Sequence, residues 1–248
     1  MGSLTQDLPK GMLPVGDKTL IQRQLEVLRQ SGLVDIVIVT GYQAEKITYD
    51  GVKYRHNQHY ATTNMVETLL CARDEMTDDI LVAYSDIVYT ADLVQAVAAS
   101  PHDIAVAVDE AWRKYWMLRY DTTETDLESL SVSENGVITD IGRPVETSEG
   151  LHYRYIGLLK FTRQGIRDLL AIYDRKQAER SCWSQSGNVF EKGYMTDLLH
   201  TAIVSGLQVW PVVSRGGWLE FDTEKDYERC KGLVDSGDLS SCCPGAEA

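Results

Sequence analysis

VDIVIVTG, residues 34–41, is the stretch that decides the architecture. Its apolar positions do not alternate with polar ones; they run on, mostly β-branched, up to a closing glycine. That is the pattern of a strand buried on both faces, as in parallel sheets covered by helices on both sides. Just upstream, residues 17–31 place Leu20, Ile21, Leu25 and Leu28 on one helical face, with Gly32 following as a C-terminal cap. Downstream, ILVAYSD (80–86) and DIAVAVD (103–109) repeat the strand character, and helical patterns lie at 64–76 and 91–99. Strand and helix in alternation predict a Rossmann-like α/β sandwich of three layers around a mostly parallel sheet.

From residue 112 to 161 the pattern changes to mixed aromatic, polar and charged residues, with turn signals at Glu134-Asn135-Gly136 and Ser148-Glu149-Gly150. VITDIG (137–142) and LHYRYIGLLKFT (151–162) read as antiparallel strands of a small insertion, about 110–161, or of a second layer, at the sheet's edge. Helical patterns resume at 163–179 and 194–205, then a strand, LQVWPVV, the segment GWLEFD, and a last helix from 224 to about 234. The expectation is one domain over 1–235 and an unstructured tail over 236–248, whose composition suits turns and disorder.

Composition excludes several classes. The 248 residues are 44% hydrophobic and 25% charged, the balance of a globular chain. No apolar run approaches the ~18 residues of a membrane span, and no signal peptide is apparent, so no membrane partner is expected. A formal charge of −13 argues against a nucleic-acid partner but not against an anionic small substrate, since local lysines or a metal can reverse the field in one cleft. Five cysteines without C-x-x-C spacing point to a reducing, cytoplasmic compartment. The five histidines show no metal-ligand spacing.

Ligands of open parallel sheets bind beyond the carboxyl ends of the strands, so residues there carry the chemistry. Asp86 ends ILVAYSD and Asp222 ends GWLEFD. Converging there, two carboxylates would hold Mg²⁺ by oxygen ligands against phosphate oxygens. Each alone also reads as structural; Asp222 stands before Thr223-x-x-Asp226, a helix-start box.

Residues 4–42, LTQDLPKGMLPV through VTGY, resemble the opening of the sugar-1-phosphate type nucleotidyltransferases. GWLEFDTEKDYE resembles that family's closing motif, and YSDIVY its metal-binding strand end. TTNMVETLLCA, DILVAYSDIVYT and WRKYWMLRYDTTETDLESL are more similar to the subgroup using CTP, which includes phosphocholine and phosphonate (2-aminoethylphosphonate) cytidylyltransferases. The resemblance implies a Rossmann-like fold and attack of an acceptor phosphate or phosphonate oxygen on the α-phosphorus of CTP, with loss of pyrophosphate. It implies that Lys10 contacts the triphosphate and acts in catalysis, that Asp86 and Asp222 hold Mg²⁺, and that Asn64 meets the nucleotide. Asn64-x-x-Glu67 is equally a capping pair.

For the acceptor, aromatic faces backed by carboxylates suit an ammonium head. Trp112, Tyr115 and Trp116 are candidates, with Asp126 and Glu128 as counter-charges. The i, i+4 spacing of Trp112 and Trp116 equally suits packing into the core. Arg113, Lys114 and Arg119 are candidates for the acceptor's phosphorus group, or members of a solvated face. Tyr194 and Asp197 are weaker candidates on an amphipathic helix. A homo-oligomer is left open.

One departure stands out. The family pattern begins with a strand and a glycine-rich phosphate loop, and Met1-Gly2-Ser3 stands where that loop should be ending. Two readings follow: the remainder of the pattern is encoded upstream, or the chain is an impaired protein. The alternatives to cytidylyl transfer are a sugar-1-phosphate nucleotidyltransferase using another NTP, and a non-catalytic binding or regulatory domain.

Overall fold

The computed structural model describes residues 2–235; the expected tail lies outside them. The chain starts with a 3₁₀ turn, Gly2–Thr5, and a second, Lys10–Met12, followed by a tight hairpin of β1 (Pro14–Val15) and β2 (Lys18–Thr19). Thr19 caps α1 (Leu20–Gln30), its hydroxyl accepting from the Gln22 amide at 3.1 Å. The stretch 34–41 forms β3 (Val37–Thr40), parallel to β4 (Lys53–His56); contrary to expectation it is only half-buried, because β4 is the one strand it pairs with among the described residues. The helix expected over 64–76 is shorter: α2 covers Met65–Leu70, and a 3₁₀ turn follows at Arg73–Glu75.

Next come β5 (Ile80–Ala83), β6 (Ile87–Tyr89), α3 (Ala91–Ala98), β7 (Ile104–Asp109) and α4 (Trp112–Tyr120). The middle of the chain gives an antiparallel ladder of β8 (Glu128–Val132) and β9 (Ile138–Pro144), then β10 (Arg154–Phe161) and α5 (Arg163–Glu179). The chain closes with α6 (Met195–Val204), β11 (Trp210–Ser214), β12 (Trp218–Glu220) and α7 (Glu224–Asp235).

The largest sheet has the order β11-β7-β10-β5. Here the structure corrects the sequence reading. β10 is no edge strand of an insertion: it runs antiparallel between β5 and β7 in the middle of the sheet. Its residues 155–161 are all buried, and a strand covered on both faces has no place at an edge. The sheet is therefore mixed, with β7 and β11 parallel and β10 reversed.

Side-chain alternation along β7 sorts the layers. Ala107 faces Leu93, Val94 and Val97 of α3 together with the rings of α4 and Leu20 of α1. Val106 and Val108 face the other way, onto Val66 of α2, Ile166 and Leu169 of α5, and Leu198 and Leu199 of α6. Helices on both faces of a central sheet make the three-layer sandwich expected from the sequence. No helix of the described residues is long and apolar enough to cross a membrane.

Candidate active site

β6 and β12 pair antiparallel with Glu220 opposite Ile87, and the next backbone bond runs from the Phe221 amide to the Asp86 carbonyl, 2.9 Å. This register places Asp222 beside Asp86, although 136 positions separate them in sequence. Gln24 of α1 secures the other side by donating its amide to the carbonyls of Tyr84 (2.7 Å) and Ile87.

Lys10 reaches these carboxylates from the turn between Pro9 and Pro14. Met12 N bonds Pro9 O at 2.8 Å and Leu13 N bonds Lys10 O at 3.1 Å, so the turn is closed on itself. Gly11 lies under it with no room for a side chain: a Cβ there would meet Ile21 at 2.8 Å and the Ser85 carbonyl at 3.2 Å. Only glycine lets the Lys10 turn sit this close to the segment carrying Asp86. The Lys10 ammonium donates to Asp86 Oδ2 at 2.7 Å and to Asp222 Oδ1. Burial pulls its pKa down, but Asp86 and then Asp222 outweigh that, and the net shift is upward.

Asp222 is not the helix cap. Thr223 and Asp226 form the box, with Asp226 N donating to Thr223 Oγ1 (3.0 Å) and Thr223 N to Asp226 Oδ2 (2.9 Å). That leaves the Asp222 carboxylate, its side chain 38% exposed, to Lys10. Burial raises its pKa, yet a hydrogen bond from Glu220 and the charges of Lys10 and Arg119 bring the net shift below the usual carboxylate value. Glu220 goes the other way; burial pushes it up to about 8, with Arg119 opposing.

Arg119 lies beneath this group with its side chain fully buried. Its guanidinium holds Asp226 through two bonds of 3.1 and 2.9 Å, donates to Glu220, and stands 3.7 Å from Asp222 Oδ2. The Tyr115 hydroxyl clamps Glu220 at both its amide (2.7 Å) and carbonyl (3.1 Å). Asp109, at the end of β7, accepts from Gly216 N (3.0 Å) and Trp218 Nε1 (2.9 Å), fixing the start of β12.

The acceptor candidates on α4 are therefore corrected. Trp112, Tyr115 and Trp116 are at most 5% exposed and pack with Trp218 and Leu93; the i, i+4 spacing served the core. Arg119 cannot meet an acceptor from inside the protein. Arg113, by contrast, is exposed, lying over the Trp112 ring and bonding the Ser148 carbonyl at 2.8 Å, and Lys114 is exposed. Asp197 is buried and saturated by Tyr194 N (2.9 Å), Ser186 N (3.0 Å) and Ser186 Oγ (2.8 Å), a structural role at the start of α6. Tyr194 remains exposed. Asn64 caps α2 through the Met65 amide at 2.9 Å.

Asp126 is exposed and paired with Arg154 at 2.9 Å. Burial raises the pKa of Glu128, with Arg154 opposing. Its charge and that of Asp86 both act on the Tyr84 and Tyr155 hydroxyls, which are 2.9 Å apart. The Tyr84 ring fits because Gly157 of β10, at φ +75°, sits at a shift in strand register; a Cβ there would come within 2.7 Å of the ring.

A cleft of about 320 Å³ opens beside Lys10, lined by Thr5, Leu8, Gly11, Val39, Thr40, Tyr42 and Ser85 among others. Small-molecule sites span about 300–1,000 Å³. Among the described residues no group of three or more His, Cys, Asp or Glu side chains forms a metal cage. Asp86 and Asp222 nonetheless fit a hard cation: both offer carboxylate oxygen, and Asp86 Oδ1 is buried with no hydrogen-bond partner among the described residues.

Sequence reasoning missed Gln24, Glu220 and the structural use of Arg119. Gln24 left a signal, a polar residue on the apolar stripe of α1 between Leu20 and Leu28.

The family described as the MobA-like NTP transferase domain matches residues 1–181. The chain belongs to that family. It is 32% identical over 236 residues to the CTP:phosphoglutamine cytidylyltransferase of Campylobacter jejuni, covering 91% of this chain and 92% of that one. A shorter match, 31% over 83 residues, links it to the choline-phosphate cytidylyltransferase of Streptococcus pneumoniae, covering 32% and 36% of the two chains. The solved structure of the CTP:phosphocholine cytidylyltransferase from Streptococcus pneumoniae superposes with a TM-score of 0.69 at 20% identity, over 94% of this chain and 93% of that one. The resemblance drawn from Lys10, Asp86 and Asp222 and their surrounding motifs is thus matched at family level, and the fold is the α/β nucleotidyltransferase fold.

Proposed function

We propose that the protein is a cytidylyltransferase that moves the CMP group of CTP onto a small phosphorylated acceptor with a nitrogen-containing head, releasing pyrophosphate. The observation that carries this reading is the convergence of Asp86 and Asp222 on Lys10, which lines the cleft, in a chain 32% identical to a cytidylyltransferase over 91% of its length. Phosphoglutamine is the first acceptor to test, on the strength of that match; phosphocholine and 2-aminoethylphosphonate follow.

In the reaction, an oxygen of the acceptor's phosphorus group bonds to the α-phosphorus. The bond from that phosphorus to the bridging oxygen breaks, and pyrophosphate leaves with the electron pair. No covalent intermediate on the protein is required, so the side chains position the reactants and stabilise charge. Lys10, fixed by its closed turn, offers an ammonium to the phosphate oxygens. Asp86 and Asp222 would hold Mg²⁺, which when bound supplies Lewis-acid stabilisation of charge on those oxygens. Arg119 and Tyr115 hold Glu220 and, through it, the angle of Asp222. Glu128, with the Tyr84–Tyr155 hydroxyl pair, is the group proposed to receive the acceptor's nitrogen head, and Asp126 and Tyr194 are further candidates.

The test is pyrophosphate release by the purified protein with Mg²⁺, each of CTP, UTP and dTTP, and a panel of phosphoglutamine, phosphocholine, 2-aminoethylphosphonate and glucose 1-phosphate. Turnover with CTP and one of the nitrogen-bearing acceptors is expected. Turnover confined to glucose 1-phosphate with UTP or dTTP would overturn the cytidylyl reading. No turnover with any pair would overturn the enzymatic one.

A further inference from the structure

One ammonium serves two carboxylates here. Lys10 Nζ is 2.7 Å from Asp86 Oδ2 and bonded also to Asp222 Oδ1. The carboxylates do not need Lys10 to stay together. The β6–β12 ladder, the Phe221–Asp86 backbone bond of 2.9 Å and the Arg119 guanidinium beneath Asp222 hold them in place. Lys10 comes from a different segment, a turn whose backbone is closed independently of its side chain. It also stands at the wall of the cleft, its side chain 28% exposed, so the ammonium can leave without unfolding anything.

A divalent ion held by the same two carboxylates, with oxygen ligands at ~2.0–2.1 Å for Mg²⁺, would lie within a few ångströms of the Lys10 ammonium. An ammonium within hydrogen-bonding distance of both and a dication on the same two carboxylates repel each other strongly at such range. We infer that Lys10 is a built-in occupant of the divalent-cation site. In the nucleotide-free protein its ammonium holds Asp86 and Asp222, offsets one of their two charges and keeps the metal out. An incoming triphosphate, itself strongly anionic, draws the ammonium onto its own oxygens and so releases the carboxylates for the metal. Metal and nucleotide then bind as a coupled pair, each raising the affinity for the other by the same factor. Binding of free Mg²⁺ in the absence of nucleotide, which would stall the site in an unproductive state, is suppressed. The inference rests on the triphosphate part of the proposed function and on no particular acceptor.

Mn²⁺ binding, followed by electron paramagnetic resonance of the free ion, tests it on the intact protein. Wild type is compared with Lys10→Met and with Lys10→Met/Asp86→Asn, each with and without a non-hydrolysable CTP analogue methylene-bridged between the α- and β-phosphorus. Without nucleotide, Lys10→Met is expected to bind Mn²⁺ about tenfold or more tighter than wild type, within the usual ~5–150-fold range of such couplings. The double variant should lose that gain. The wild type should gain a comparable factor when the analogue is added, a measurement that needs no variant to fold. Equal Mn²⁺ affinity in Lys10→Met and wild type, or wild-type affinity indifferent to the analogue, would overturn the inference. Failure of the function reading looks different: no CMP transfer to any acceptor, whatever the Mn²⁺ result.

Discussion

Arg119 anchors a buried charge network, and its replacement by methionine has a calculable outcome. The guanidinium is fully buried and bridges Asp226, itself 1% exposed, to Glu220, with Asp222 next to them. It also lies over the rings of Tyr120 (4.8 Å), Trp116 (5.0 Å) and Tyr115 (5.5 Å). Arg119→Met keeps most of the volume but leaves Asp226 as a buried carboxylate with no cation. Removing one partner of a buried pair costs about 3–5 kcal/mol, because the other charge remains desolvated. For a chain of this length ~1 kcal/mol moves Tm by about 2–4 °C, so a fall of roughly 6–20 °C is expected. Thermal unfolding followed by circular dichroism reads it. The double variant Arg119→Met/Asp226→Asn should lose much less than the two single changes added together, since the stranded charge is then gone. Arg119→Met within about 2 °C of wild type, or strict additivity in the double variant, would refute the assignment of Arg119 as the anchor of this network.

Three further outcomes follow from the geometry. Gly11→Ala should destabilise by about 1–3 kcal/mol through its clash with Ile21, and by displacing the Lys10 turn should cut kcat by up to about 100-fold; steady-state kinetics at unchanged Tm would contradict the close-approach argument. Gln24→Met removes the donor to the Tyr84 and Ile87 carbonyls and should cost about 1–3 kcal/mol in urea unfolding, with a parallel loss of kcat if Asp86 is held through that segment. Burial raises the pKa of Asp109 despite three donors to its carboxylate. Its protonated form is thus favoured by folding, and this contribution is fully present below the unfolded value of ~3.9 and lost as pH rises through the higher folded value. The stability advantage of wild type over Asp109→Asn should therefore shrink from pH 4 toward pH 7 (about one proton's worth of slope), and a constant gap in urea midpoints would disprove it.

The parts of the fold that were legible in the sequence are those with a local cause. Residues 34–41 announce a strand by composition alone, though not its burial, since β3 is only half-buried and Val34 is exposed; α1 is announced by its stripe of Leu20, Ile21, Leu25 and Leu28. Asp86 and Asp222 were singled out because each closes an apolar run, and the structure does bring them together with Lys10. What could not be read was pairing. RYIGLLKF reads as an antiparallel strand and is one, but nothing in it says that it lies between two distant strands in the middle of the sheet. The α4 rings misled for a related reason: Trp112, Tyr115 and Trp116 have the chemistry of an ammonium site, and only the packing of Trp218 and Leu93 against them shows where they face. Arg119 reads locally as an acceptor contact or part of a solvated face because its partners, Glu220 and Asp226, lie over a hundred residues away. Charge complementarity at that range is set by the register of β12 and α7, which no local pattern encodes.

The central claim is that Asp86 and Asp222, with Lys10 between them, form the centre of a cytidylyl-transfer site. The most direct test is single-turnover formation of the CDP-linked product from CTP and phosphoglutamine, comparing wild type with Asp222→Asn, which preserves size and the Thr223–Asp226 cap. The account predicts a rate lower by on the order of 10²–10³-fold with an unchanged circular dichroism spectrum. A variant that forms product at the wild-type rate would place the chemistry elsewhere in the molecule.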